Sequence, residues 1–123
     1  MNEKEEILKK IKTENYVWII YFILIGLCLY GNTFEKNYVL YNDQKSKETY
    51  RKITIFIFAV ALIIYLYFLF DNYKDVKNLK PTDSKRKKDL NELSLLGSTL
   101  ILIAGLIFIY IAIVDTELDV ELA

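Results

Sequence analysis

Three long runs without a formal charge constrain this chain more than any other feature of its sequence. They cover residues 16–34, 53–70 and 93–114, and every Asp, Glu, Lys and Arg lies between or outside them. A helix rises about 1.5 Å per residue, so about 20 residues cross a hydrocarbon layer of about 30 Å. A water-soluble helix would need a polar face, and these runs have none. We therefore predict an all-α membrane protein with three transmembrane helices, forming a single domain over residues 1–123.

The first run also has to be tested as a secretory signal peptide, because it follows an N-terminus that contains lysines. The chain reads Gly-Asn-Thr-Phe over 31–34, which contains no small-x-small cleavage pattern. Leu24, Ile25, Gly26 and Leu27 precede Cys28 and do not form a lipoprotein site. We expect an uncleaved anchor in which Cys28 acts as a small apolar residue.

The distribution of basic residues predicts the orientation. The N-terminal segment carries four Lys, and the connection over 71–92 carries seven Lys and Arg. The connection over 35–52 carries five, and the tail over 115–123 carries none. By the positive-inside rule, the N-terminus is cytoplasmic and the C-terminus lies outside a cell membrane. Arg51 and Lys52 oppose this trend, because they flank the second run on the predicted outer side.

The segments on the predicted cytoplasmic side have helical patterns. Residues 1–15 predict an amphipathic helix, in which Glu5 pairs with Lys9 and Glu6 with Lys10. Within 71–92, Pro81 ends one helix, and Thr82, Asp83 and Ser84 offer an N-cap for a second helix that continues into the third run. This pattern predicts a cytoplasmic helical hairpin. The second helix of this hairpin begins with a basic block, which consists of Lys85, Arg86, Lys87 and Lys88. We expect this block to attract anionic lipid head groups.

The segments on the predicted outer side are less regular. The outer loop, 35–52, contains a short apolar patch at 38–41 and a turn-prone Asn42-Asp43 pair. The acidic tail, 115–123, alternates acidic with mainly apolar residues, and a period of two predicts an extended strand. Because the tail is acidic and the outer loop is basic, we expect residues 118, 120 and 122 to pack on the patch at 38–41.

Composition argues against most catalytic chemistry for this chain. It has no His, one Cys and four Gly, so it lacks an imidazole base, a cysteine cluster and a glycine-rich phosphate loop. An enzyme would have to use Asp43, Asp71, Asp83 or Asp89. The runs contain no charged residue that could bind or relay an ion. We expect no catalytic residues, no cofactor, no metal, no small-molecule substrate and no nucleic-acid partner.

Small residues within the runs predict close helix packing. The third run repeats small residues every seven positions at Ser98, Gly105 and Ala112, with Gly97 and Ala104 beside them. The plausible facing positions in the other two runs are Gly26, Ala59 and Ala61. These positions can face the protein's own helices, another copy or a different membrane protein.

These features favour a small, non-catalytic accessory, assembly or immunity-type subunit that binds itself or a membrane partner through helix contacts. The high frequency of Lys, Ile and Asn is typical of proteins from bacteria with AT-rich genomes. The alternative is a self-associating pore former, similar in size and pass number to some phage holins. The predicted outward, acidic C-terminus departs from the basic cytoplasmic tail usual in that group. The predicted partners are therefore the anionic bilayer and either another membrane protein or further copies of the chain.

Overall fold

Three helices make up most of the computed structural model, which describes residues 2–121. They are α1 (Glu3–Tyr41), α2 (Gln44–Lys77) and α3 (Lys85–Val114). Each is long and apolar enough to cross a membrane. No strand occurs within the described residues. The prediction of an all-helical protein with three helices long and apolar enough to cross a membrane is thus confirmed.

The helices extend well beyond the apolar runs. With 39 residues, α1 is the longest, and at 1.5 Å per residue it measures about 58 Å, almost twice the hydrocarbon thickness. The segment predicted as an outer loop is helical on both sides of Asn42-Asp43. Residues 35–52 contain neither Pro nor Gly, so helix continues through this segment up to the Asn42-Asp43 turn and resumes directly after it.

Polar side chains set the ends of α1 and the start of α2. The Asn2 side chain accepts a hydrogen bond of 2.8 Å from the Glu5 N–H. At the other end, Asn42 adopts a left-handed conformation with a φ of 51°, and its N–H donates to the Tyr38 carbonyl. Asp43 then accepts from the Ser46 hydroxyl at 2.7 Å and the Lys45 N–H at 3.1 Å. The predicted turn at Asn42-Asp43 is confirmed.

The connection between α2 and α3 follows the sequence pattern. α2 ends at Lys77, and Pro81 lies in the turn that follows. The Ser84 side chain caps α3 by accepting from the Lys87 N–H at 3.1 Å. From Lys85 the helix then runs without a break to Val114. The predicted N-cap and the continuous third helix are confirmed.

The predicted strand in the acidic tail is wrong over the described residues. The Asp115 carboxylate accepts hydrogen bonds of 2.9 Å from the N–H groups of Asp119 and Val120, which folds the chain back on itself. Leu118 has a φ of 56°, far from extended backbone. Local side-chain bonding from an Asp competes with an extended strand that has no neighbour to pair with. The packing of 118 and 120 on 38–41 stays a prediction, and Leu122 lies outside the described residues.

The chain divides into two compact units, Met1–Ile57 and Phe58–Ala123. In the first unit, α1 and the start of α2 are antiparallel, and Gly31 lies against Ile53 and Tyr50. In the second unit, the remainder of α2 is antiparallel to α3. The rings of Phe58 and Phe108 stack there at 6.0 Å between centroids.

The left-handed residue at the end of α1 yields a stability prediction. Asn tolerates this conformation and Gly adopts it freely, whereas a β-branched residue is strained by about 1–2 kcal/mol. We expect Asn42→Val to lower the thermal unfolding midpoint of the purified protein in detergent, and Asn42→Gly to leave it unchanged or raise it. Equal destabilisation by both substitutions would show that the Asn side chain, not the backbone conformation, stabilises this turn.

Candidate functional site

The small-residue stripe of α3 contains the position at which α2 and α3 pack closely. Gly105 and Ala112 are buried and Ser98 is half-buried. A Cβ at Gly105 would lie 2.9 Å from Leu62 Cδ2 and 3.1 Å from Tyr65 Cδ2. Such distances leave no room for a methyl group, so the absence of a side chain at Gly105 allows α2 and α3 to approach each other closely.

The other predicted packing residues are divided between buried and open positions. Ala61 is buried, whereas Ala59 and Gly97 are half-buried. Gly26 and Ala104 are exposed. A Cβ at Gly26 or Gly97 would meet no atom of the described chain within 4 Å. The structure thus gives the stripe of Ser98, Gly105 and Ala112 an intramolecular role, and it leaves Gly26 and Ala104 on open surface.

Several packing residues were missed by the sequence reasoning. Along α1, the buried positions are Val17, Leu24 and Gly31, spaced by seven residues. A Cβ at Gly31 would lie 3.3 Å from Ile53 Cγ2, so Gly31 is the glycine of α1 that packs closely. The seven-residue repeat could have identified it, since the third run shows the same spacing.

A polar contact lies near one end of the packed surface between α2 and α3. The Asn72 side-chain amide donates a hydrogen bond to the Ser98 hydroxyl, which in turn donates to the Ser94 carbonyl at 3.0 Å. Asn72 was not predicted because it follows the second apolar run by two residues. Asn72 follows Tyr65 by seven residues, about two helical turns, so the two residues share a face of α2, and this spacing was the available signal.

The first unit also buries two polar side chains near the α1–α2 turn. Lys47 and Ser46 expose only 5% and 7% of their surfaces. The Lys47 ammonium lies 5.2 Å from the centre of the Tyr38 ring, a cation–π geometry that offsets part of the cost of burial. The hydrogen bond from Ser46 lowers the pKa of Asp43, whose carboxylate stays ionised in the turn. These contacts make the α1–α2 turn an ordered structure.

The basic block at the start of α3 is exposed to solvent except at Lys88, which is half-buried. Lys87 Nζ lies 3.3 Å from Asp83 Oδ1, and Lys88 Nζ donates to the Pro81 carbonyl at 3.3 Å. The backbone N–H of Lys80 donates to Asp83 at 2.7 Å and holds the pKa of that carboxyl below its ordinary value. Two of the four predicted head-group residues therefore also stabilise the turn.

The four candidate carboxylates are divided between the two units. Asp43 belongs to the first unit, whereas Asp71, Asp83 and Asp89 belong to the second. Asp43 and Asp83 each accept hydrogen bonds within their own turns. Between residues 2 and 121, no group of three His, Cys, Asp or Glu side chains could hold a metal ion.

Comparison with known proteins does not assign this chain to a family. It matches no protein-family model, and neither a curated protein nor a solved structure is significantly similar to it.

The contrast between Gly105 and Gly97 yields a matched pair of substitutions in one helix. We expect Gly105→Ala to destabilise the protein by about 1–3 kcal/mol, because the added methyl group overlaps Leu62 and Tyr65. We expect Gly97→Ala to be neutral or to stabilise the helix by up to about 1 kcal/mol. Unfolding in mixed micelles with increasing SDS measures both. Equal effects would contradict the packing of α2 on Gly105.

The Asn72–Ser98 hydrogen bond is tested by a double-mutant cycle with Asn72→Ala and Ser98→Ala. Hydrogen bonds between membrane helices contribute about 0.6 kcal/mol on average and at most about 1.7 kcal/mol. We expect a coupling energy within this range in the same unfolding assay. Additive single-mutant effects would show that the two side chains act independently.

Proposed function

We propose that this protein is a small, non-catalytic integral membrane subunit with an accessory, assembly or immunity-type role, acting through helix contacts with itself or another membrane protein. The observation that carries this proposal is the low burial of its apolar helices. Only 17%, 11% and 11% of the residues in the apolar windows of α1, α2 and α3 are buried. Most of each apolar window is thus surface available to lipid or to another helix.

The open small residues support contact with another helix. Gly26 and Ala104 are exposed in the middle of the apolar parts of α1 and α3. At such positions the backbone of a second helix can approach closely, which strengthens van der Waals contacts in a solvent that offers no hydrophobic driving force. The close-packed Gly105 shows that this chain uses a small residue in this way within one unit.

The proposal includes an orientation in the cell membrane with a cytoplasmic N-terminus and an outer C-terminus. The support is the excess of Lys and Arg in the N-terminal segment and in the α2–α3 connection. In this orientation the α1–α2 turn projects outward. The α2–α3 turn lies in the cytoplasm.

Photo-crosslinking in native membranes tests the helix contacts. A photoreactive amino acid placed at Gly26 or Ala104 is expected to give protein adducts of discrete mass, either with a second copy or with one other membrane protein. Ile107 provides the control, because it is large, exposed and on the same helix as Ala104. We expect weaker protein adducts there. Lipid adducts alone at all three positions would contradict the proposal.

A membrane-potential dye separates an accessory subunit from a pore former. We expect cells that express the chain alone to keep their membrane potential, because an accessory subunit opens no path for ions. Measurement after induction, beside a strain carrying the empty vector, gives the result. Depolarisation at expression levels that leave the membrane otherwise intact would contradict an accessory role and favour a self-associating pore.

A further inference from the structure

The turn between α2 and α3 concentrates positive charge. Residues 74–88 contain seven Lys and Arg but only two acidic residues, Asp75 and Asp83. Four of these cations are exposed and have no side-chain hydrogen bond or ion pair with any described residue. We name this set the basic tip: it consists of Lys74, Lys77, Lys85 and Arg86.

The remaining cations of the turn interact with the protein itself. Lys87 forms an ion pair with Asp83, and Lys88 donates to the Pro81 carbonyl. Lys80 interacts with Asp83 through its backbone N–H and its charge. The adjacent pairs Lys85-Arg86 and Lys87-Lys88 therefore differ, since Lys87 and Lys88 each have a partner within the turn, whereas an external anion competes with no such partner at Lys85 and Arg86.

The basic tip lies at a suitable height for lipid phosphates. Lys74 follows Phe70 by four residues, and Arg86 precedes Leu93 by seven. These separations correspond to about 6 and 10 Å along a helix axis from the edges of the apolar runs. The head-group layer is about 5–7 Å thick on each side. Lys and Arg side chains can extend toward the interface, so both residues reach the phosphate level.

The cations at the start of α3 also repel the partial positive charge of the helix N-terminus. The first turn contains no acidic residue, although a helix N-terminus carries partial positive charge. Placing successive cations there destabilises the isolated turn. An external anion would offset this repulsion, and a membrane surface supplies anions at the required height.

We propose that the basic tip binds the phosphate groups of anionic phospholipids in the leaflet beside the α2–α3 turn. Three acidic residues lie closer to the apolar runs than most of the tip: Asp71, Asp89 and Glu92. Because their carboxylates repel anionic lipids, attraction of these lipids to this end of the helices has to come from the cations of the tip. Tyr73 precedes Lys74, but residues 74–88 themselves contain no aromatic side chain that could form a stacking platform for successive bases, which argues against nucleic acid as the anion. This inference goes beyond the proposed function because its partner is lipid and no second protein is required.

The test measures lipid retained by the purified, full-length chain. The protein is reconstituted with equal phosphatidylglycerol and phosphatidylcholine, extracted in mild detergent at physiological salt, and analysed for bound lipid by native mass spectrometry. We expect phosphatidylglycerol to be preferred. Lys85→Gln with Arg86→Gln should reduce that preference at least fivefold, since one cation near an anionic surface changes binding by about fivefold.

Two matched double variants control for net charge and for position. Lys87→Gln with Lys88→Gln removes the same charge from the same helical turn, and we expect a smaller loss of lipid preference because these side chains bind the protein. Lys36→Gln with Lys52→Gln removes two exposed cations from the other unit. We expect a smaller loss of lipid preference there than in the Lys85-Arg86 variant, because these two cations are not adjacent in the chain. Helix content by circular dichroism checks that each variant is folded.

Three outcomes would overturn the proposal. The first is an absence of preference for phosphatidylglycerol in the unmodified chain. The second is an equal loss in the Lys85-Arg86 and Lys87-Lys88 variants, which would indicate attraction by net charge without specific contacts. The third is co-purification of RNA, detected by absorbance at 260 nm and lost in the Lys85-Arg86 variant, which would assign the surface to nucleic acid. None of these outcomes depends on whether a protein partner exists.

Discussion

Hydrocarbon offers no hydrogen-bond partner to the peptide backbone, and this constraint determines most of the structure. A segment that enters lipid must satisfy its own N–H and C=O groups, so three uncharged runs become three helices. Because helix formation is cooperative, the helices continue past the lipid boundary until a residue ends them. Asn42 ends α1, and Ser84 begins α3. The connections are consequently short turns between long helices.

Position along the helix, and not residue type alone, determines which small residues hold this chain together. Gly97 and Gly105 lie on the same helix and differ by eight residues, yet only Gly105 contacts a neighbouring helix closely. On α1 the same contrast separates Gly26 from Gly31. Each hairpin has one glycine in close contact and, toward the turn, a polar interaction: Lys47 with Tyr38 in the first unit and Asn72 with Ser98 in the second.

The features that could be predicted from sequence are those that local chemistry determines. The apolar runs, the Asn42-Asp43 turn and the Ser84 cap each depend on residues close together in the chain. The helical outer connection was not anticipated, since its polar composition resembles a loop although it lacks any residue that breaks a helix. The contact of Gly105 with Tyr65 depends on the register of two helices, which a single sequence does not specify.

The tail after α3 shows why alternation alone is a weak guide to strands. Acidic and apolar residues alternate over 115–121, but a strand gains stability only from a neighbour that pairs with its backbone. Asp115 supplies a closer partner by accepting from Asp119 and Val120. The same side-chain chemistry by which Asp43 begins α2 and Ser84 begins α3 therefore also bends the tail. In this protein, short polar side chains at helix ends determine the path of the chain outside the membrane, whereas apolar and small residues determine the packing within it.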